Sequence, residues 1–418
     1  MAKVHKLIRE SVQKLPQFFL ARLIAEKLRE QNAPDKPGLA EAMAEHILSG
    51  RSEKFTWDDG APTDEPTKNV TLSFSDQESA ELHDSVLSFV RDKLPTVLQD
   101  ASRKTAKSFL REIQARWPEQ EAYERFILDQ FRDSLEERWG AAFDRLRMLL
   151  FLAREMGESC RKRFMRSRRR KNLTQRGLLL RLHVRACQVT GEIVTLMENG
   201  FADGAMARWR TLYEIGVVAT LIADAGEELA ERYIAHEVVE SKSALDEYER
   251  SWKELQERPV STRDRRKVER NFAAAVSKYG KDFASPYGWA AKLIGNKNPN
   301  FYQLQRAAQR AAMHSYYKMA SYNVHASAKG MFFRLGSLDD TLAYAGATNA
   351  GFVDPALNTA STLTQITGLL YEDRLSDPMV MVQMQIMILL RDEIAPALVR
   401  ADRKLRRDHV AHTKQAAS

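Results

Sequence analysis

Apolar residues recur every three or four positions along most of the chain, a period that predicts α-helix almost throughout. Residues 1 to 50 read as two short amphipathic helices broken at "NAPDKPG", where proline and glycine interrupt the pattern. One stretch departs from the helical period. "NVTLSFS" (69 to 75) alternates apolar and polar residues as a half-buried strand does, either pairing weakly around "EKFTW" or standing as an extended arm. Ser75 and Glu78 then form an S-x-x-E capping box that opens a helix. From Asp76 to about Arg163 the helical period returns, with breaks expected near Pro95 and Pro118.

A second helical body starts at "LLLRLHVRACQVTGEIVTLMENG", which closes on Gly200 as a helix C-cap should, and Asp203 is expected to cap the next helix. That helix contains "ARWRTLYEIGVVATL" (207 to 221). Beyond it lie the helix "EELAERYIAHEVVESKSALDEYERSWKEL", a turn at "RPVSTRD", and a loop whose Trp289 is expected to tuck against the core. A helix over 304–330, an irregular glycine-bearing stretch and two final helices complete the pattern. No fixed-period repeat occurs, which argues against a regular solenoid. The expected fold is all-α: a multi-helix bundle with an additional N-terminal helical region and at most one or two short strands. The expected organisation is an N-terminal helical region (1–160), a basic connector (161–176), a helical domain (177–400) and a charged flexible tail (401–418).

A length of 418 residues with 44% hydrophobic content supplies a sizeable core. Cys160 and Cys187 have no metal-ligand spacing and make no disulfide framework, which fits a reducing cytoplasm. The N-terminal "MAKVHKLIRESVQKL" is interrupted by charge where a signal peptide needs a continuous apolar run. "IGVVATLIA" and "MVMVQMQIMILL" are too short to cross a bilayer, so a soluble, cytoplasmic protein with no membrane partner is expected. The net charge of +8 is concentrated in "RKRFMRSRRRKNLTQR" (161 to 176), which carries nine Lys/Arg and no acid. Such a run suits either a solvated connector or contact with RNA or another polyanion through Arg161, Lys162, Arg163, Arg166, Arg168, Arg169, Arg170 and Lys171. Only Phe164 interrupts the arginines, so no ladder for stacking single-stranded bases is indicated.

Two places could carry chemistry. Arg210 precedes Glu214 by one turn, beside Met206, Val217 and Leu221, while Trp209, Leu212, Tyr213 and Val218 cover much of the remaining circumference. The pair is either a buried structural clasp or part of a site in which Arg210 offers a fork-shaped donor to phosphate or carboxylate. In the 304–330 helix, His314, Lys318, Ser321, His325 and Lys329 share one face within about 60° of arc. That stripe reads as a solvated face or, because imidazole titrates near neutral pH, as a place for proton transfer. No phosphate-binding P-loop, dinucleotide-binding glycine motif, H-E-x-x-H, Cys/His zinc spacing or G-x-S-x-G occurs, so no cofactor and no metal is expected.

At "GEIVTLMENGFADGAMARWRTLYEIGVVATLIAD", "ERYIAHEVVESK", "YGWA", "YYKMASYNVHAS" and "GFVDPA" the sequence resembles a bacterial family known only as domain of unknown function 5677, over roughly residues 175 to 395. A weaker similarity is to the all-α HEPN ribonucleases, many of them toxins or antiphage effectors. They carry Arg separated from His by four to six residues, often at a dimer-formed cleft. Lys318 and His325 have that spacing with lysine in place of arginine, and Arg407 and His412 in "RRDHVAH" are a reserve pair. The resemblance implies a metal-independent ribonuclease, in which His325 moves a proton while Lys318, with Arg210 positioned by Glu214, stabilises charge on phosphate and Ser321 shares the face. The alternative is a non-catalytic helical module that binds nucleic acid or a partner protein.

Overall fold

The computed structural model describes residues 12–33, 36–50, 52–57, 69–166, 171–338, 344–371 and 377–416. Every regular element among them is helical, as the period of the apolar positions requires, and contacts divide the chain into Met1–Tyr123 and Glu124–Ser418. In the first unit, α1 (Leu15–Glu30), α2 (Leu39–Ser49) and α3 (Asp76–Ser88) surround a small core of Leu20, Ile24, Leu28 and Ala44. The alternating stretch before α3 forms no strand. Nothing among the described residues offers it a ladder, so it lies as an extended arm whose Val70, Leu72 and Phe74 pack on that core. The expected capping box is formed: the Glu78 amide donates to Ser75 Oγ at 3.2 Å and the Ser75 amide donates to Glu78 Oε2 at 2.8 Å.

Near Pro95 the α-helix is interrupted by a π-helical turn, Phe89–Lys93, whereas the break expected near Pro118 does not occur. Leu94–Arg166 is one helix, α4, with Pro95 in its first turn and Pro118 inside it. A first-turn proline costs no intrahelical bond, and Pro118 lies on an exposed stretch where the carbonyl it leaves unpaired can be hydrated.

In the second unit the C-terminal part of α4 buries Leu135, Trp139, Phe143, Leu146 and Met156 against α5 (Leu173–Glu198), α6 (Ala202–Ala225) and a later helix, Val353–Leu369. Gly200 ends α5 with φ +83°, the left-handed conformation that glycine adopts freely. Asp203 does not cap α6, whose N-cap is Phe201; its carboxylate instead accepts from the Leu335 amide at 2.9 Å. The helices α7 (Glu227–Ala235), α8 (Glu237–Ser251) and α9 (Thr262–Tyr279) follow, and Trp289 is buried as expected. Glu227 caps α5 from a distance, accepting from the Thr174 and Gln175 amides at 2.9 and 2.8 Å.

The helix expected over 304–330 is divided. After α10 (Ala291–Ile294), it becomes α11 (Phe301–Ala307), a 3-10 turn at Ala311–Met313, α12 (His314–Tyr322) and α13 (Ala328–Phe332). Gln309, with φ +54°, interrupts the first part, and Ser327 starts α13 anew by accepting from the Gly330 amide at 3.2 Å. Val353–Leu369 is α14 and Pro378–Ala416 is α15. The expected flexible tail is helical up to Ala416: Leu405 is buried and Arg138 donates to Asp408 at 2.8 Å.

Candidate functional site

Apolar neighbours place α6 at the centre of its unit, with Trp209, Leu212, Tyr213 and Val217 buried. Arg210 and Glu214 fall on the edge of that buried surface: their side chains are 24% and 39% exposed, so the pair is not the buried clasp that the surrounding apolar residues allowed. Arg210 Nε donates to Glu214 Oε1 at 3.1 Å. From α12, Tyr317 donates its hydroxyl to the same carboxylate oxygen at 2.7 Å, and the guanidinium lies 4.8 Å from the Tyr317 ring centre. Burial and the bond to Glu214 push the Tyr317 phenol above its ordinary range, so it stays protonated and donating. Burial alone would lower Arg210, but Tyr317 and Glu214 outweigh it and raise it. The surroundings are aromatic: Tyr213 and Phe301 lie 5.7 and 4.9 Å from the Tyr317 ring. Tyr287, pushed up by burial and then by Glu214, completes the group.

Behind this edge, Arg310 donates to Thr220 Oγ1 at 2.9 Å and to Gln365 Oε1 at 2.6 Å, while its carbonyl accepts from Tyr213 at 2.7 Å. It ties α6 to α14 through side chains that make no demand on a ligand. His314 is held by Gln305, with Nδ1 2.8 Å from Oε1.

Of the predicted site residues, the fold brings Arg210 and Glu214 to Tyr317 and leaves the others outside that contact. Lys318 is the next residue along α12 and is exposed; Ser321 donates to the Tyr317 carbonyl at 2.8 Å. His325 lies beyond the end of α12, exposed, in the turn where its amide still donates to the Ser321 carbonyl at 3.1 Å. The single continuous face drawn through His314, Lys318, Ser321, His325 and Lys329 is therefore cut after Tyr322. Arg407 and His412 are both exposed on α15, where five residues of helix set them about 140° apart, too far round to act on one group. Tyr317 was missed by sequence reasoning. Its spacing of four before Ser321, inside the quoted "YYKMASYNVHAS", was the available signal.

The basic run forms a second candidate. Arg161 and Lys162 both pair with Glu158, at 2.6 and 3.6 Å, and Arg166 is exposed; Arg168, Arg169 and Arg170 lie outside the described residues. Arg163, Lys171 and Arg176 line a recess of about 160 Å³ between the end of α4, the start of α5 and the end of α14. Arg163 lies over the Tyr371 ring at 4.9 Å and Arg176 over Phe164 at 5.2 Å. Glu158, with its carboxyl held at about 2 chiefly by the Arg161 hydrogen bond, is not among the residues that line it.

Among the described residues, no helix is long and apolar enough to cross a membrane. No curated protein and no solved structure matches the chain. Residues 176–342, the segment that holds Arg210, Glu214, Tyr317, Ser321 and His325, match the family model described as a family of unknown function, DUF5677.

Proposed function

We propose that the protein is a non-catalytic helical module that binds nucleic acid, RNA in the first place, through the basic end of α4 and the start of α5. The observation that carries this reading is the convergence of Arg163, Lys171 and Arg176 on one recess with no acidic side chain among the described residues of its lining. Cations gathered on one surface raise the local potential and release counterions when they neutralise phosphates. The exposed Arg161, Lys162 and Arg166 extend the same charge along the last turns of α4. Titrating labelled single-stranded RNA with the full chain at several salt concentrations tests it. Affinity should fall linearly on a log–log plot; no binding at low salt would remove the reading.

A second reading, a metal-independent ribonuclease of toxin or phage-defence type, draws on one observation: Tyr317 joins Glu214 and Arg210, so that ionisable groups of α6 and α12 meet. In it Arg210 binds the phosphate and Lys318 and Ser321 flank it. His325 accepts the proton of the ribose 2′-hydroxyl as that oxygen attacks the adjacent phosphorus and the 5′-oxygen leaves with a proton from water. A HEPN-like enzyme would build this cleft between two copies of the chain in the cytoplasm. Incubation with total RNA, with and without EDTA, separates the two readings. Cleavage that survives the chelator and vanishes in His325→Ala establishes the enzyme; a mobility shift without cleavage establishes the module.

A further inference from the structure

We infer that the recess selects the end of a strand, taking a phosphate monoester such as a terminal phosphate in preference to an internal phosphodiester. This rests on the nucleic-acid reading above and names the group bound at that site. The recess holds about 160 Å³, room enough for a phosphate group. An internal diester continues on both sides and offers only two free oxygens. A terminal group has one attachment and can turn its three free oxygens to the side chains that line the recess.

Charge points the same way. A monoester carries about −1.5 to −2 at neutral pH and presents three free oxygens, whereas a diester carries a single charge. Arg163, Lys171 and Arg176 line the recess, with no acid among the described residues of its lining, which matches the more highly charged group. The two guanidiniums are held in advance by the rings of Tyr371 and Phe164. Nη1 of Arg176 is buried with no acceptor among the described residues, so a donor is left over at the edge of this space. The start of α5 does not supply the binding, because its Thr174 and Gln175 amides already donate to Glu227. Recognition therefore falls to the three cationic side chains.

The test uses the full chain and three RNAs of one sequence, carrying a 5′-phosphate, a 3′-phosphate or hydroxyls at both ends, with anisotropy as the readout. Inorganic phosphate, against chloride at equal ionic strength, is the arm for the free ion. A phosphorylated end should bind about tenfold or more tighter than the hydroxyl-ended strand, the worth of a charge-assisted contact. In Lys171→Gln, where an exposed side chain is changed, the ratio should fall towards one; Arg163→Gln, checked for an unchanged thermal melt, should do the same. Equal affinity for all three RNAs overturns the inference and leaves the nucleic-acid reading standing. Binding of none of them overturns both. Saturable binding of inorganic phosphate without any end preference assigns the recess to the free ion and also overturns strand-end selection.

Discussion

The hydroxyl of Tyr317 donates to Oε1 of Glu214 at 2.7 Å, joining α12 to α6 across 103 residues of chain. Because Arg210 donates to the same carboxylate oxygen, the three side chains act as one unit. In a double-mutant cycle, Tyr317→Phe and Glu214→Gln should therefore be coupled by about 1 kcal/mol in urea unfolding. Strict additivity of the two changes would mean that the bond contributes nothing.

A Cβ at Gly157 would stand 2.6 Å from Cε1 and 2.7 Å from Nδ1 of His183, so α4 and α5 approach as closely as glycine permits. The ring is 1% exposed. Gly157→Ala gains up to about 1 kcal/mol of helix propensity, but overpacking costs typically about 1–3 kcal/mol. We expect net destabilisation, read as a lower Tm. His183→Ala in the same background should recover part of the loss, and an unchanged or higher Tm for Gly157→Ala alone would contradict this packing.

Burial pushes the His183 imidazole down from 6.5 to about 4. Its Nε2 lies 3.2 Å from Thr367 Oγ1, and because Thr367 gives its one proton to the Leu363 carbonyl, Nε2 is the donor and the ring is neutral. The unfolded chain takes up the proton first as pH falls. Stability is therefore full above pH 6.5, declines between 6.5 and about 4, and falls no further from this group below that. The difference in unfolding free energy between the natural chain and His183→Gln should change by about 3 kcal/mol across that window. A difference that stays constant with pH would show that the ring titrates normally.

The cations of the basic run are not equivalent. Arg166 and Lys171 are exposed, whereas Arg161 and Lys162 share Glu158. For single-stranded RNA, replacing Arg166 or Lys171 with Gln should each reduce the salt slope of log K by about 0.7. Arg161→Gln should reduce it less, since its charge is already partly neutralised by Glu158. Equal losses at all three positions would contradict the pairing.

Local chemistry was enough to establish the helical class, the capping box at Ser75 and Glu78, and the end of α5 at Gly200. Each depends on residues within about a turn of one another, and a sequence displays those directly. The basic run between Arg161 and Arg176 is visible for the same reason.

Contacts between distant helices were decided by packing alone. Helical periodicity drew one face through Lys318, Ser321 and His325, but the chain ends α12 at Tyr322 and turns. The bond that joins Tyr317 to Glu214 appears in no local pattern, because its partners come from different helices. In the same way the alternating residues at 69–74 became an arm: a strand's hydrogen bonds belong to a neighbour, and a single sequence does not say whether the fold will provide one. The sequence alone thus determined which segments coil and where charge accumulates. The tertiary structure decided which of those charges meet, because periodicity records a side chain's direction on its own helix and packing supplies what lies opposite.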